Sequence, residues 1–519
     1  MKRWRCCGWA LAAVLGLVLV APGWLWAQQP KSGGTLRVAW EADITGLDPH
    51  TSSGLQAQRM VGNLFNSLVT IDAHLNYIPE LAESWEVKDG GKTYVFHLRQ
   101  GVKFHDGTDF DAEAVKFNFL RITARLDPEE KPFAAPFFTA VESVEPLDAH
   151  TVQFNLKSPT YTLIPALGVY RVGFLQMSPT SYKTYGKREV HQHPAGTGPF
   201  RFAKWEQNSI IVLEKNPTYF KQGLPYLDRI EFKIMKEGVT RATALRAREV
   251  DFVTVFPREH ASLVAKDPKI HLYRGVDTAN VFIPFNTQRK PFDNPTVRIA
   301  LMGHGIDRDA IAKAALLGYG KALWSGIPEG SKDHVDFPDM YPYNPDRAKA
   351  LLKEAGFDEK NPLKYTLMTH PADPALPTIA TIIKTQLAKI GVDVTLEVVD
   401  RPIFLRRLTT TKEYDQVVNF SSQIVDPFGR AFVLDSRQGA NVANHKDAQV
   451  DALLDRLALA PTAEEFSQLG RALQEYLYKH MIYMSATSLP SLQAARDDVK
   501  GYVYERGFKV RFETTWLDK

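Results

Sequence analysis

Four titratable side chains, His97, His105, Asp106 and Asp109, crowd one stretch of the chain between Glu80 and Arg121. Imidazoles beside carboxylates are what metal sites and general acid–base catalysis are made from. Their local setting predicts neither. Thr93, Val95, His97 and Arg99 alternate with Tyr94, Phe96 and Leu98, so His97 projects from a strand opposite its aromatic face. Asp106-Gly107 is a turn pair, with Lys103 to Asp109 reversing direction around it. A structural role is expected for all four. The 14 histidines are otherwise scattered: His191 and His193 stand two apart, while His260, His271, His304 and His445 are isolated. No pair has a convincing metal-ligand spacing, so no metal and no cofactor is expected.

The chain has no Gly-x-Ser-x-Gly elbow, no His-Glu-x-x-His, no Walker-type phosphate loop and no cysteine nucleophile. Gly196-Thr197-Gly198 is followed by Pro199 and forms no dinucleotide fingerprint. Gly303-His304-Gly305 lies inside a helical pattern, where packing explains it. Catalysis is therefore not expected. The formal charge of +4 falls to +1 without Lys2, Arg3 and Arg5, which leaves no electrostatic footprint for nucleic acid.

Lys2, Arg3 and Arg5 precede an apolar run from Trp9 to Val20, and Leu25-Trp26-Ala27 follows. A basic start, a short apolar core and a small residue predict a secretory signal peptide over 1–27; an uncleaved anchor is the alternative. Cys6 and Cys7, the two cysteines of the chain, lie before the apolar run. Lipid anchoring through a cysteine after that run is thus not expected, nor are disulfides beyond residue 27.

The remaining elements alternate helix and strand. Asn344 caps a predicted helix with Pro345 in its first turn; its stripe is Ala348, Leu351, Leu352 and Ala355, and Gly356 ends it. Ile379, Ile382, Ile383, Leu387 and Ile390 form a second stripe that stops at Gly391. Val392, Val394, Leu396 and Val398 then alternate as a strand with one buried face. Thr462 with Glu465 forms a capping box before Phe466, Leu469, Leu473 and Leu477. Asp111 caps a helix whose stripe is Val115, Asn118, Phe119 and Ile122. Helices followed closely by strands, at 519 residues, predict α/β layers in two or three domains.

ELAESWEVKDGGKTYVFHLRQGVKFHDGTDFDAEAVKFNFLR (80–121) closely resembles the signature segment of the family 5 extracellular solute-binding proteins, the ligand receptors of ABC importers. Leu47-Asp48-Pro49-His50, GTGPFRFAKWEQNSIIVLEKNPTYF (196–220), LPYLDRIEFKIM (224–235), PFDNPTVRIALMGHGIDRDAI (291–311) and YNPDRAKALLKEAGF (343–357) resemble further family elements, in order. The resemblance spans nearly the whole chain after Gly33. It implies a two-lobed periplasmic-binding-protein-like α/β fold (type II, cluster C) with an inserted domain and a cleft between lobes. Mapped here, lobe I is 34–70, 191–278 and 488–519, the inserted domain II is 71–190, and lobe III is 279–487. The hinge falls near Ala279–Phe285 and Ser485–Ser491. The implied protein is a periplasmic monomer that passes a peptide or small solute to a membrane permease.

In peptide-binding members two main-chain segments pair with an extended ligand. By the Leu-Asp-Pro-His match the first is Ser53, Gly54 and Leu55. The second reads Asn419, Phe420, Ser421, Ser422 and Gln423, before Asp426-Pro427. Peptide binders commonly carry an aspartate three residues before the acidic-Pro pair, where it meets the ligand ammonium; here Gln423 stands there. An amide accepts a hydrogen bond but neutralises no charge. Either another carboxylate serves, Asp43 or Asp426, or the ligand lacks a free amine. A non-peptide solute such as a nickel chelate or haem is the alternative. Trp324 and Phe420 are expected as apolar walls, each with core packing as its bland alternative. Arg258 is weighed between a ligand carboxylate and the solvated surface. Arg401, Arg406 and Arg407 read as helix surface.

Overall fold

The computed structural model describes residues 29–519 except 53, 131, 169–172, 276–277, 422–424 and 507–508. The expected signal peptide, Ser53, Ser422 and Gln423 lie outside the described residues. Helices start where capping residues predict. Asp111 accepts from the Ala114 N–H at 2.8 Å and opens Ala112–Ile122. Asn344 accepts from Arg347 N–H at 2.9 Å and opens Pro345–Glu354. Thr462 accepts from Glu465 N–H at 3.2 Å and opens Ala463–Lys479. Each bond satisfies an N–H that has no partner within its own helix. Gly391, with φ of 83°, sits just past Ala375–Ala388, where a side chain would be strained.

One mixed sheet has the order β12 (Ile270–Arg274), β19 (Leu492–Arg496), β11 (Phe252–Val253), β1 (Thr35–Trp40), β10 (Arg229–Ile234), β9 (Ile210–Lys215) and β8 (Phe200–Glu206). A short pair of β20 (Val499–Lys500) and β21 (Trp516–Leu517) accompanies it. Trp40, Phe232, Phe252 and Phe512 belong to its core. A four-stranded antiparallel sheet follows in the order β4 (Ala82–Lys88), β5 (Thr93–Leu98), β7 (Thr151–Leu156) and β6 (Val141–Asp148), preceded by the hairpin β2 (Val69–Ile71) and β3 (Tyr77–Pro79). Its apolar face and the helix Ala112–Ile122 enclose Phe96, Phe119 and Phe154. Asn118, the polar member of that helix stripe, is fully buried. Its amide donates to the carbonyls of Ala114 and Met177 and accepts from Met177 N–H, so it joins helix to loop.

The third unit holds two small sheets. One is parallel, β15 (Asp393–Val398), β14 (Lys364–Thr369) and β16 (Gln416–Val417). The other is antiparallel, β17 (Asn419–Ser421), β13 (Asn280–Phe282) and β18 (Ser485–Ser488). The buried face expected of β15 fades along it: Val394 is buried, Leu396 half-buried and Val398 54% exposed. β15 is the edge strand of its sheet, so its far end lacks cover. The chain passes from β12 to β13 and returns from β18 to β19, crossing twice between the seven-stranded sheet and the third unit.

Asp106 and the histidines of the 80–121 segment do local work. Asp106 accepts from Thr108 N–H at 3.1 Å, and Gly107 has φ of 85°. His105 lies with Nε2 3.1 Å from Gly198 O and accepts from Gly196 N–H at 3.2 Å. His97 meets Glu86 on the neighbouring strand at 3.1 Å.

A buried ion cluster ties the loop after β1 to the helix Ala112–Ile122. The Arg121 guanidinium, fully buried, pairs with Asp48 and donates to Glu130 at 3.2 Å, and it lies 4.3 Å from the Tyr182 ring. Burial pushes the Asp48 carboxyl up, but the charge and hydrogen bonds of Arg121 outweigh it and hold the carboxyl below its ordinary value. Removing one partner of such a cluster strands buried charge. Arg121→Met is therefore expected to cost about 3–5 kcal/mol in urea unfolding at neutral pH.

His50, beside this cluster, and His105 are both pushed down to about 4, chiefly by burial; for His50 the Arg121 charge adds to it. Unfolded histidine protonates near 6.5. The unfolded chain thus binds more protons between these values, and stability present above pH 6.5 is lost as pH falls towards 4. Each site contributes up to about 3 kcal/mol. Urea midpoints should decline across this window, and His105→Asn should make the decline shallower.

Candidate functional site

β17 is an edge strand: β13 covers one side, and among the described residues no strand covers the other. Its register is Asn280↔Ser421, Val281↔Phe420 and Phe282↔Asn419. Alternation sends Asn419 and Ser421 to one face and Phe420 to the opposite one. On the first face the Arg430 guanidinium, 2% exposed, donates to Ser421 Oγ at 2.6 Å and Asn280 Oδ1 at 2.9 Å. It lies 5.4 Å from the Phe282 ring and 5.0 Å from that of Tyr483. Among the described residues no carboxylate forms an ion pair with it. Neutral acceptors and aromatic faces carry a delocalised guanidinium where an ammonium would fare worse.

Asn419 is held from both sides. Its Oδ1 lies 2.9 Å from His370 Nε2 and accepts from Phe420 N–H at 2.8 Å. Burial, helped by the nearby Arg401 charge and opposed by the Asn419 bond, keeps His370 below its ordinary pKa and therefore neutral at pH 7. Phe420 is half-buried against the third unit's core, with the Arg401 guanidinium 5.6 Å from its ring. Trp324 packs partly on the same core and is fixed by its N–H to Asp336 Oδ1 at 2.8 Å.

Leu55, contributed by the first unit, also packs against the third unit's core. It opens the helix Leu55–Met60, and Gly54 before it is extended, with φ and ψ of −64° and 133°. Leu55, Trp324 and Phe420 each pack partly against the third unit's core. The two carboxylates considered for an ammonium are committed elsewhere. Asp43 accepts from Trp205 Nε1 at 2.9 Å, Ile44 N–H at 2.8 Å and Asn208 N–H at 2.6 Å. Asp426, buried, caps Pro427–Arg430 through Gly429 N–H at 2.9 Å and hydrogen-bonds Tyr77.

Arg258, whose side chain is mostly buried, already has a carboxylate partner within the protein. Its guanidinium forms a two-pronged pair with Asp373 at 3.0 and 3.1 Å and donates to Pro490 O at 3.2 Å. His370, Asp373, Asn280 and Arg430 escaped the sequence reading. Arg430 meets Asn280 across 150 residues, a juxtaposition that no local spacing encodes.

The family of bacterial extracellular solute-binding proteins, family 5 middle, matches residues 76–434. The chain belongs to this family. It is 32% identical over 392 residues to the glutathione-binding protein GsiB of Pectobacterium atrosepticum, covering 76% of this chain and 73% of that one. The fold superposes on the periplasmic binding protein DppA of Helicobacter pylori in complex with the peptide STSA, with a TM-score of 0.82 and 28% identity, over 94% of this chain and 99% of that one. AgaA from A. tumefaciens R10 in complex with agropinic acid gives 0.79 at 26% identity, over 94% and 99%. The family 5 chain therefore has the two-lobed α/β fold of periplasmic binding proteins. Among its described residues no helix is long and apolar enough to cross a membrane.

Proposed function

We propose that the protein is the periplasmic receptor of an ABC importer, capturing a peptide or peptide-like solute between its lobes and delivering it to membrane permease subunits. It acts by domain closure as a monomer, without a catalytic step, cofactor or nucleic-acid partner. The observation that carries the reading is the edge position of β17, on whose outer side no further strand pairs among the described residues, so that an extended ligand can add there as a further strand. The half-buried Phe420 and Trp324, and Leu55 after the extended Gly54, all pack against the core of the third unit, in support of the same reading. The relatives that bind glutathione and the STSA peptide support a short peptide or peptide-like ligand.

Lobe I is assigned to 34–70, 191–278 and 488–519, domain II to 71–190 and lobe III to 279–487. Support comes from the shared sheet of β1, β8 to β12 and β19, and from the four-stranded sheet and the two small sheets of the third unit, each of which keeps to its own part of the chain. The ligand-binding residues are Ser53, Gly54, Leu55, Trp324, Asn419, Phe420, Ser421, Ser422, Gln423 and Asp426, with the first and second segments acting through main chain.

Gln423 favours one further reading, a ligand without a buried free ammonium, in keeping with AgaA and its bound agropinic acid. Asp43 and Asp426 are already bonded within the protein, which supports the same view. Native mass spectrometry of the purified protein after exposure to a peptide-rich cell extract is expected to retain a peptide or peptide-like adduct. A retained metal chelate or haem would replace this reading with the other solute class. Because an added carboxylate has no cation to meet in a ligand lacking a free amine, Gln423→Asp should weaken binding of the retained ligand in titration calorimetry. Tighter binding would show that the ligand presents an ammonium there.

A further inference from the structure

The Arg258 side chain occupies a singular place between the two lobes. Its backbone belongs to lobe I: Phe256 N–H donates to Leu492 O of β19 at 2.7 Å, and Pro257 leads into the helix Arg258–Val264. Its guanidinium fork lands on Asp373 of lobe III, with both oxygens engaged at 3.0 and 3.1 Å. Pro490 O, which takes a third bond at 3.2 Å, lies on the return crossover between β18 and β19. The side chains are only 15% and 21% exposed, so solvent screens the pair less than it would a surface ion pair.

Asp373 is fixed before it meets the arginine, since its Oδ1 also accepts from Ala375 N–H at 2.9 Å at the start of Ala375–Ala388. It shares a short loop with His370, whose Nδ1 accepts from Ala372 N–H at 3.3 Å and whose Nε2 grips Asn419 of β17. One loop therefore holds the edge strand at one end and the lobe I arginine at the other. Any relative motion of the lobes that separates Asp373 from Arg258 breaks the pair.

We propose that Arg258 and Asp373 form an interlobe latch that stabilises the closed form and couples closure to the ordering of β17. The proposal rests on the two-lobe division given above. Interactions made in one conformation only shift the population towards it. The latch thus lends stability to the closed state before any ligand arrives, and ligand affinity inherits that bias. Arg258 and Asp373 are positioning residues in this scheme, acting on the ligand through closure.

The test needs no ligand, so its outcome is independent of which solute the protein carries. Spin labels are placed at Leu263→Cys on lobe I and Ile403→Cys on lobe III, both exposed positions, in the full chain carrying Cys6→Ser and Cys7→Ser. Double electron–electron resonance then reads the interlobe distance distribution. Arg258→Gln and Asp373→Asn are each expected to raise the open-to-closed ratio roughly three- to tenfold. The exchanged pair Arg258→Asp with Asp373→Arg should recover part of the closed population. Arg258→Lys, which keeps the charge but loses the fork, should give an intermediate shift and serves if the other variants fold poorly. Distributions unchanged in these variants, or a parent protein wholly open without ligand, would overturn the latch.

Discussion

The placement of the candidate site depends on the hydrogen bonds of one short strand. β13 is the middle strand of its sheet, bonded to β18 on one side and to β17 on the other. β13 is also the strand into which the chain passes from the first sheet, and β18 is the strand from which it returns. The edge strand β17 therefore takes its position from the two crossovers themselves. Val281 and Phe282 bury their side chains in different cores on opposite faces, so a slip of one residue would exchange them and break both contacts.

Around that strand the polar groups are satisfied by distant partners. Asn280 donates to Gly326 O at 3.2 Å and contacts Ser485 Oγ, while its own oxygen accepts from Arg430. Asn419 is steadied by His370, and Ser421 by Arg430. A buried guanidinium among neutral acceptors is costly to desolvate, and it is tolerated because each of its neighbours is already fixed by the sheet. This network anchors the side chains of β17, while among the described residues no further strand pairs with its outer edge.

Local elements were largely legible before any coordinates. The caps at Asp111, Asn344 and Thr462 and the stripes that follow them depend on contacts within a turn or two, and all three helices begin there. The turn at Asp106-Gly107 obeyed the same rule. Readings that depended on neighbours fared differently. The buried face of β15 thinned because its strand lies at a sheet edge. Arg258 found a carboxylate more than a hundred residues away.

What the sequence determined alone was element type, start points, the turn at Asp106-Gly107 and, by resemblance, family and fold. Those follow from short-range backbone hydrogen bonding and from periodic burial, which repeat wherever the same residues recur. The tertiary structure decided which charges are paired: Asp48 with Arg121 and Glu130, Arg258 with Asp373, and Arg430 with no carboxylate among the described residues. A guanidinium gives no local sign of its partner, because its bond energy comes from groups that only folding brings within a few ångströms and only burial shields from water.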